Sequence, residues 1–407
     1  MQKSRLTIGL LREGKVPPDK RVPFTPLQVE EIHQRFPDVK IVCQSSDVRA
    51  FRDEEYKERG IEVWNDMSEC DVLMGIKEVP INNLISNKTY LFFSHTLKKQ
   101  PYNRKLLQEI LRRKITLIDY EALKDHHGNR LVAFGRFAGI VGAYNALWTY
   151  GRRSNLFSIR RAHECFDIND LKRELRKVQL PSIKIILTGA GRVARGAMET
   201  LDTASIRKVN AYDFLTREFD EPVYVQLSSA DYHVRKEGGG NFNRDEFHRR
   251  PELYASTFKA FTTVADVLIA GAYWNPKAPV LFTRRDMQEP DFKLNIIADI
   301  TCDINGSIPS TKRASTIIDP LYDYDPVTDE VKPGLSDEKL VTVMAIDNLP
   351  CELPRGASEE FGRDLIDRFL PRLIIEDKEG VIERATVTAD GQLTEQFRYL
   401  EDYVGEL

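Results

Sequence analysis

The chain is punctuated by short apolar runs separated by amphipathic segments. In the first third these are LTIGLL (6–11), VKIVCQ (39–44), DVLMGI (71–76), TYLFFS (89–94) and ITLIDY (115–120). Runs of this length, rich in Ile, Val, Leu and Phe and alternating with helix-length segments, are buried strands of a parallel sheet covered on both faces. A second series follows: IKIILTGAG (183–191), VNAYDF (209–214), DVLIAGAY (266–273), NIIADIT (295–301) and VTVMAID (341–347). Two such series in 407 residues predict two domains of ordinary size rather than one core. The expected fold class is α/β: two Rossmann-like domains, each a parallel sheet flanked by helices, with an interdomain cleft.

Local signals place some helices. Thr25-Pro26-Leu27-Gln28 reads as a capping box with proline in the first turn, which starts a helix and leaves Arg21 in the loop after the first strand. GRFAGIVGAYNALWTY (135–150) predicts a long helix joining the domains. Ser358, followed by Glu359 and Glu360, reads as the cap of a helix that returns to the first domain. The first domain is then discontinuous, 1–134 with 348–407, around a second domain at 135–347. The crossings near Gly135 and Asp347 are the expected hinges of a cleft that closes on its ligands. The polar stretch 227–254, with Gly238-Gly239-Gly240, predicts a surface excursion.

With 42% apolar and 30% charged residues and a net charge of −3, the chain has no basic bias toward nucleic acid. No window approaches the length of a membrane span, and no secretory leader is evident, so a soluble cytoplasmic protein is expected. Its five cysteines lie far apart without a Cys-x-x-Cys pair, and its histidines lack metal-ligand spacing, so neither a disulfide framework nor a metal site is expected.

Gly189-Ala190-Gly191-Arg192-Val193-Ala194 fits G-x-G-x-x-A between a strand and a helix. Glycines there permit a tight turn and let a pyrophosphate approach helix N-terminal amides, while an acid about 20 residues on accepts from a ribose hydroxyl. Asp213, at the end of the VNAYDF run, is the expected acid, and Gly189, Gly191, Arg192 and Val193 are the expected cofactor-binding residues. A carboxylate at Asp213 favours NAD, whereas Arg217 beside it would suit the phosphate of NADP.

Ligands of an open parallel sheet bind beyond the carboxyl ends of its strands. Arg21 follows the first strand, Lys77 and Glu78 follow the third run, His95 the fourth, and Asp119 and Glu121 close the fifth. One solvated strand-end lysine would mean little, but polar residues at successive strand ends form a set. Lys77 and His95 are thus candidate proton carriers, Arg21 lines the same crevice, and Arg130 is a candidate carboxylate ligand.

The segments REGKVPPDKRVPFTP, GIKEVP, FFSHTLKKQ, IDYEALKDHHGNRLVAFGRFAGIVG and IDNLPCELPRGAS resemble the saccharopine dehydrogenases that form L-lysine. They are equally similar to the lysine–ketoglutarate reductase half of the bifunctional aminoadipic semialdehyde synthases, within the wider alanine dehydrogenase and transhydrogenase superfamily. The resemblance spans 6 to about 403. It implies interconversion of saccharopine, NAD(P)+ and water with L-lysine, 2-oxoglutarate and NAD(P)H. It further implies Lys77 and His95 as the acid–base pair, Glu78 and Glu121 as acids tempering that site, and Arg21, Lys98 and Arg130 as substrate-carboxylate ligands. Asp347 is placed near the nicotinamide. The resemblance implies NAD or NADP as cofactor, small-molecule partners, and a monomer or dimer. The alternatives are an alanine dehydrogenase and a non-catalytic NAD-binding sensor.

Overall fold

The computed structural model describes residues 6–237 and 242–405. The chain forms two compact units, Met1–Phe134 with Pro354–Leu407, and Gly135–Leu353. No helix among the described residues is long and apolar enough to cross a membrane.

The first unit is built on six parallel strands: β1 (Leu6–Leu10), β2 (Val39–Gln44), β3 (Val63–Trp64), β4 (Val72–Met74), β5 (Thr89–Phe92) and β6 (Thr116–Asp119). Beyond β6 the sheet gains two antiparallel strands, Thr386–Ala389 and Gln392–Leu393. The order from that edge is then β6, β5, β4, β1, β2, β3. Because β1 is central and the chain departs from it in both directions, the topological switch point lies between β1 and β4.

Both faces of this sheet are covered. Ile8, Leu10, Ile41, Met74 and Leu91 pack with Val29 and Ile32 and with Phe361, Leu365 and Phe369 of the returning segment, while Leu73, Tyr90, Phe92 and Leu117 meet Leu106, Leu107, Ile110 and Leu111. The near-continuous apolar composition of the strands follows from this double burial. The helix Pro26–Arg35 begins as its sequence predicts: Thr25 Oγ1 accepts from the Gln28 amide at 3.3 Å, and Gln28 Oε1 accepts from the Thr25 amide at 3.0 Å.

Ser358 is not a cap. Proline at the first turn starts its helix earlier, as Pro354–Asp364. Ser358 lies buried inside that helix, donating to the Pro354 carbonyl at 2.7 Å and accepting from the Val22 amide at 2.9 Å. The chain rejoins the first unit at Pro354 rather than at position 348. Leu349–Glu352 stays with the second unit because the buried Glu352 carboxylate accepts from Asn145 Nδ2 at 2.7 Å and Arg161 Nη2 at 3.3 Å.

The second unit holds β7 (Lys184–Thr188), β8 (Arg207–Val209), β9 (Val223–Leu227), β10 (His233–Arg235), β11 (Tyr254–Ser256), β12 (Val267–Ala270), β13 (Ile296–Asp299), β14 (Leu321–Asp325), β15 (Glu330–Pro333) and β16 (Val341–Met344). Its large sheet runs β15-β14-β16-β13-β12-β7-β9-β8, parallel except at β14 and β15. The polar excursion contains the small antiparallel pair β10–β11, with Tyr232, His233, Phe247 and Tyr254 clustered around it. Its glycine run lies outside the described residues.

The helix Gly135–Ser154 packs across the helix Arg192–Thr203 at two glycines. A Cβ at Gly196 would land on the Arg136 carbonyl and one at Gly139 on the Val193 carbonyl, so the backbones meet where no side chain fits. Gly196→Ala is expected to lower the stability of the second unit by about 1–3 kcal/mol, the cost of forcing packed backbones apart, read as a lowered urea midpoint.

Candidate active site

The carboxyl ends of β1, β4, β5 and β6 bring the predicted residues of the first unit to one edge of its sheet. Lys77 and Glu78 lie just past β4, His95 just past β5, and Glu121 just past β6. Two bridges fix the loops carrying them. Asp119, fully buried at the end of β6, accepts from the Ser94 amide at 3.1 Å and from the Ser94 hydroxyl, tying β6 to the loop that bears His95. Asn103 donates to the Ser94 carbonyl at 2.8 Å and to Glu78 Oε1 at 3.1 Å. His95 itself adopts a left-handed backbone conformation, φ 51°, uncommon for a residue with a side chain.

Glu78 and His95 form a pair, with His95 Nδ1 to Glu78 Oε1 at 2.7 Å, and Lys15 Nζ approaches the other Glu78 oxygen at 3.3 Å. Burial works to raise the Glu78 pKa, but the hydrogen bond and charge of His95 and the donation from Asn103 outweigh it, bringing it down to about 2. A carboxylate that only accepts fixes Nδ1 as the protonated nitrogen of His95, which leaves Nε2 as the base of the neutral ring.

Lys77 is partly buried, and its ammonium makes no hydrogen bond or ion pair among the described residues. Burial, then the charges of Arg21 and Lys15, lower its pKa below the ordinary lysine value against the opposing pull of Asp19 and Glu78. The backbone at Lys77 is held by a residue that the sequence did not single out. Glu13 accepts from the Ile76 amide at 2.6 Å and the Lys77 amide at 2.9 Å, clamping the loop after β1 to the loop after β4 across the switch point. Burial, reinforced by Asp19, pushes the Glu13 carboxyl up to about 8. Lys15, Asp19 and Asn103 were likewise missed. An acid or amide in a loop has no periodicity to mark it.

The predicted carboxylate ligands differ among themselves. Arg21 is only 3% exposed and holds Asp19 through both oxygens, Nε to Oδ1 at 3.0 Å and Nη2 to Oδ2 at 2.6 Å, with Phe134 stacked 4.1 Å from its guanidinium carbon. A nearby acid and an aromatic face thus draw Arg21, in the loop after β1, into the interior. Arg130 is exposed and pairs with Glu121, while Lys98 is exposed.

In the second unit, the glycine-rich turn joins β7 to the helix Arg192–Thr203. Gly189 has φ 108°, which suits glycine alone, and a Cβ there would lie 3.0 Å from the Gly271 carbonyl beyond β12. At Gly191, the residue before the helix, the space a Cβ would enter is open, and no side chain caps the amides of the first turn. An open cradle at the free amino end of a 12-residue helix suits a dinucleotide pyrophosphate, with Arg192 and Val193 in its first turn. Asp347 lies exposed just past β16. Asp213 is not at a strand end. β8 stops at Val209, Asn210 Oδ1 accepts from the Asp213 amide at 2.8 Å, and this cap starts the helix Ala211–Thr216 with Asp213 in its first turn.

Two doubly wound α/β units, one with Lys77, Glu78 and His95 beyond its strand ends and one with a glycine-rich turn between strand and helix, define the class. Residues 9–141 match the family "Alanine dehydrogenase/PNT, N-terminal domain". Over 97% of its length the chain is 30% identical to the mitochondrial alpha-aminoadipic semialdehyde synthase of Rattus norvegicus and 28% identical to its Arabidopsis thaliana counterpart, covering 47% and 41% of those proteins. The chain thus spans about half the length of these curated relatives. It is 26% identical to the L-lysine-forming, NAD(+) saccharopine dehydrogenase of Neurospora crassa, over 80% of this chain and 81% of that protein. Among solved structures, an L-alanine dehydrogenase aligns over 98% of this chain and 99% of its own at TM-score 0.63 and 13% identity, and the transhydrogenase from Sinorhizobium meliloti over 95% and 98% at 0.59 and 13%, which establishes the shared fold. The chain is thus similar to about half of the alpha-aminoadipic semialdehyde synthases and to most of a saccharopine dehydrogenase, and its residues 9–141 match the alanine dehydrogenase/PNT N-terminal domain.

The pair formed by Glu78 and His95 gives a pH test. The Glu78 pKa falls from the ordinary 4.5 to about 2, so its stabilising contribution is fully present above pH 4.5 and is lost as pH falls toward 2. Glu78→Gln is expected to flatten the dependence of the urea midpoint on pH in that window.

Proposed function

We propose that the chain is an NAD(P)-dependent oxidoreductase that interconverts saccharopine and water with L-lysine and 2-oxoglutarate. The observation that carries this reading is the partly buried Lys77 ammonium, with no partner of its own, standing beside the Glu78–His95 pair, in a chain related to enzymes named for this chemistry. The first unit supplies proton transfer and substrate carboxylate binding, and the second supplies the dinucleotide site through Gly189, Gly191, Arg192, Val193 and Asp347.

Saccharopine is a secondary amine with three carboxylates. Lys77, biased toward its neutral form by burial, takes the proton from the substrate amine so that its lone pair can drive oxidation. A dinucleotide held at the turn of Gly189, Gly191, Arg192 and Val193 would supply the hydride acceptor for that oxidation, which turns the amine into a protonated substrate imine. His95 Nε2 takes a proton from water as it adds to the imine carbon. The carbinolamine then collapses as the lysine nitrogen receives a proton from Lys77 or His95 and the hydroxyl gives its own proton to the group so freed, releasing L-lysine and 2-oxoglutarate. Glu78 keeps the imidazole oriented and supports its positive charge.

For the carboxylates, Lys98 and Arg130 are the accessible cations. Arg130 can exchange Glu121 for a substrate carboxylate, since an exposed ion pair contributes only about 0–1 kcal/mol. The buried Arg21–Asp19 pair cannot be exchanged so cheaply, and its role is to shape the charge around Lys77.

The test follows absorbance of the reduced cofactor with L-lysine plus 2-oxoglutarate against pyruvate plus ammonia, each with NADH and NADPH. Turnover with the first pair is expected. Turnover only with pyruvate and ammonia would make the protein an alanine dehydrogenase, and none at all, from protein that binds NADH, would make it a sensor. Lys77→Met is expected to lower kcat by about 100-fold or more, the ordinary share of a general acid–base group. Full activity in that variant would remove Lys77 from the mechanism.

A further inference from the structure

We infer that the adenosine ribose of the dinucleotide is read by Asp231, together with Ser228, beyond strand β9, and that this selects NAD(H) over NADP(H). The inference rests on the dinucleotide reading of the glycine-rich turn and names the residues that would set its specificity.

In a doubly wound nucleotide domain, the strand lying directly beside the glycine-rich strand carries at its carboxyl end the residue that meets the ribose. Usually that neighbour is also the next strand in sequence. Here the two criteria part. The strand after the glycine-rich turn is β8, but the neighbour of β7 is β9, with β8 outside it at the sheet edge. The pairing of β9 with β7 runs from Lys184 opposite Val223 to Thr188 opposite Leu227. It continues into the turn itself: the Gly189 amide donates to the Leu227 carbonyl at 2.8 Å, and Gln226 Nε2 donates to the Gly189 carbonyl at 2.7 Å. The chain leaving β9 therefore abuts the cradle, whereas the chain leaving β8 is about 4.8 Å further out, one strand spacing.

The side chains agree with the topology. Asp213, beyond β8, has both carboxylate oxygens engaged, Oδ1 by Arg217 Nε at 2.9 Å and Oδ2 by Asn210 Nδ2 at 2.8 Å. Asp231, beyond β9, is exposed. Its Oδ2 accepts from both the amide and the hydroxyl of Ser228, each at 2.7 Å, so the carboxylate is oriented by one oxygen. Its Oδ1 makes no hydrogen bond among the described residues and can accept from a ribose hydroxyl. A carboxylate so placed repels a 2′-phosphate. Lys208 of β8 sits on the outer strand and donates to Gln226 Oε1 at 3.2 Å.

The test is titration of the full chain with NADH and with NADPH, followed by nicotinamide fluorescence and needing no substrate. The wild type is expected to bind NADH about tenfold or more tightly than NADPH, the scale of one charge-assisted hydrogen bond. Asp231→Asn is expected to weaken NADH about tenfold without weakening NADPH, and Ser229→Arg combined with Asp231→Asn to reverse the preference. Asp213→Asn is expected to change the NADH Kd by less than about twofold. A wild type that prefers NADPH, or an Asp213→Asn loss exceeding that of Asp231→Asn, would overturn the assignment. A wild type that binds neither nucleotide would overturn it by removing the dinucleotide reading beneath it.

Discussion

A parallel strand cannot turn directly back on its neighbour. Each must be followed by a crossover, and every crossover leaves from the same edge of the sheet. In both units this constraint collects at one edge the residues that follow strands, however far apart they stand in sequence. Lys77, His95 and Glu121 share an edge because β4, β5 and β6 are parallel neighbours. The register needs no functional residue to hold it, since burial on both faces fixes it, and the loops beyond the strand ends are left free to carry polar groups that a strand interior would exclude.

The two units place different chemistry at equivalent points. In each, a central strand begins the topology and the chain departs on both sides. At the switch point of the second unit stand Gly189 and Gly271, residues without side chains that leave room for backbone to approach a ligand. At the corresponding point of the first unit stands Glu13, which fills the gap with a carboxyl bonded to two backbone amides of the facing loop. The first unit has thus replaced an open cradle with a clamp.

Much of this was legible in the sequence, for identifiable reasons. The central strands are apolar runs bounded by turn residues, and the Thr25–Gln28 box and the glycine-rich turn are local patterns whose geometry follows from neighbouring residues. What escaped depends on contacts distant in sequence. Nothing near Glu13 announces that its partners are the amides of Ile76 and Lys77. Strand β9 was not read as a strand because VYVQL is short and lies between charged and serine-rich sequence, and its omission made β8 look like the neighbour of β7. Asp213 was placed at a strand end because VNAYDF reads as one apolar run, whereas Asn210 caps a helix directly after Val209. Ser358 was misread for a local reason: a serine followed by two acids imitates a cap, and Pro354 had already begun the helix.

The carboxyls at the edge of the first unit are chemically similar and yet are driven apart. Glu78 is held down to about 2, Asp119 is raised to about 6 by burial, and Glu13 is raised to about 8 by burial and Asp19. A purely structural cluster would have reason to satisfy its members, and all three carboxyls do have hydrogen-bond partners. Lys77 does not fit that account. It is a partly buried ammonium lowered in pKa, beside a carboxylate that is already engaged by His95, Lys15 and Asn103, and it makes no bond of its own among the described residues. Burying a cation without a partner opposes folding, and the pull of Asp19 and Glu78 offsets it only in part. A substrate that brings its own proton to exchange would, which is why the unpartnered lysine says more about function than the well-bonded acids around it.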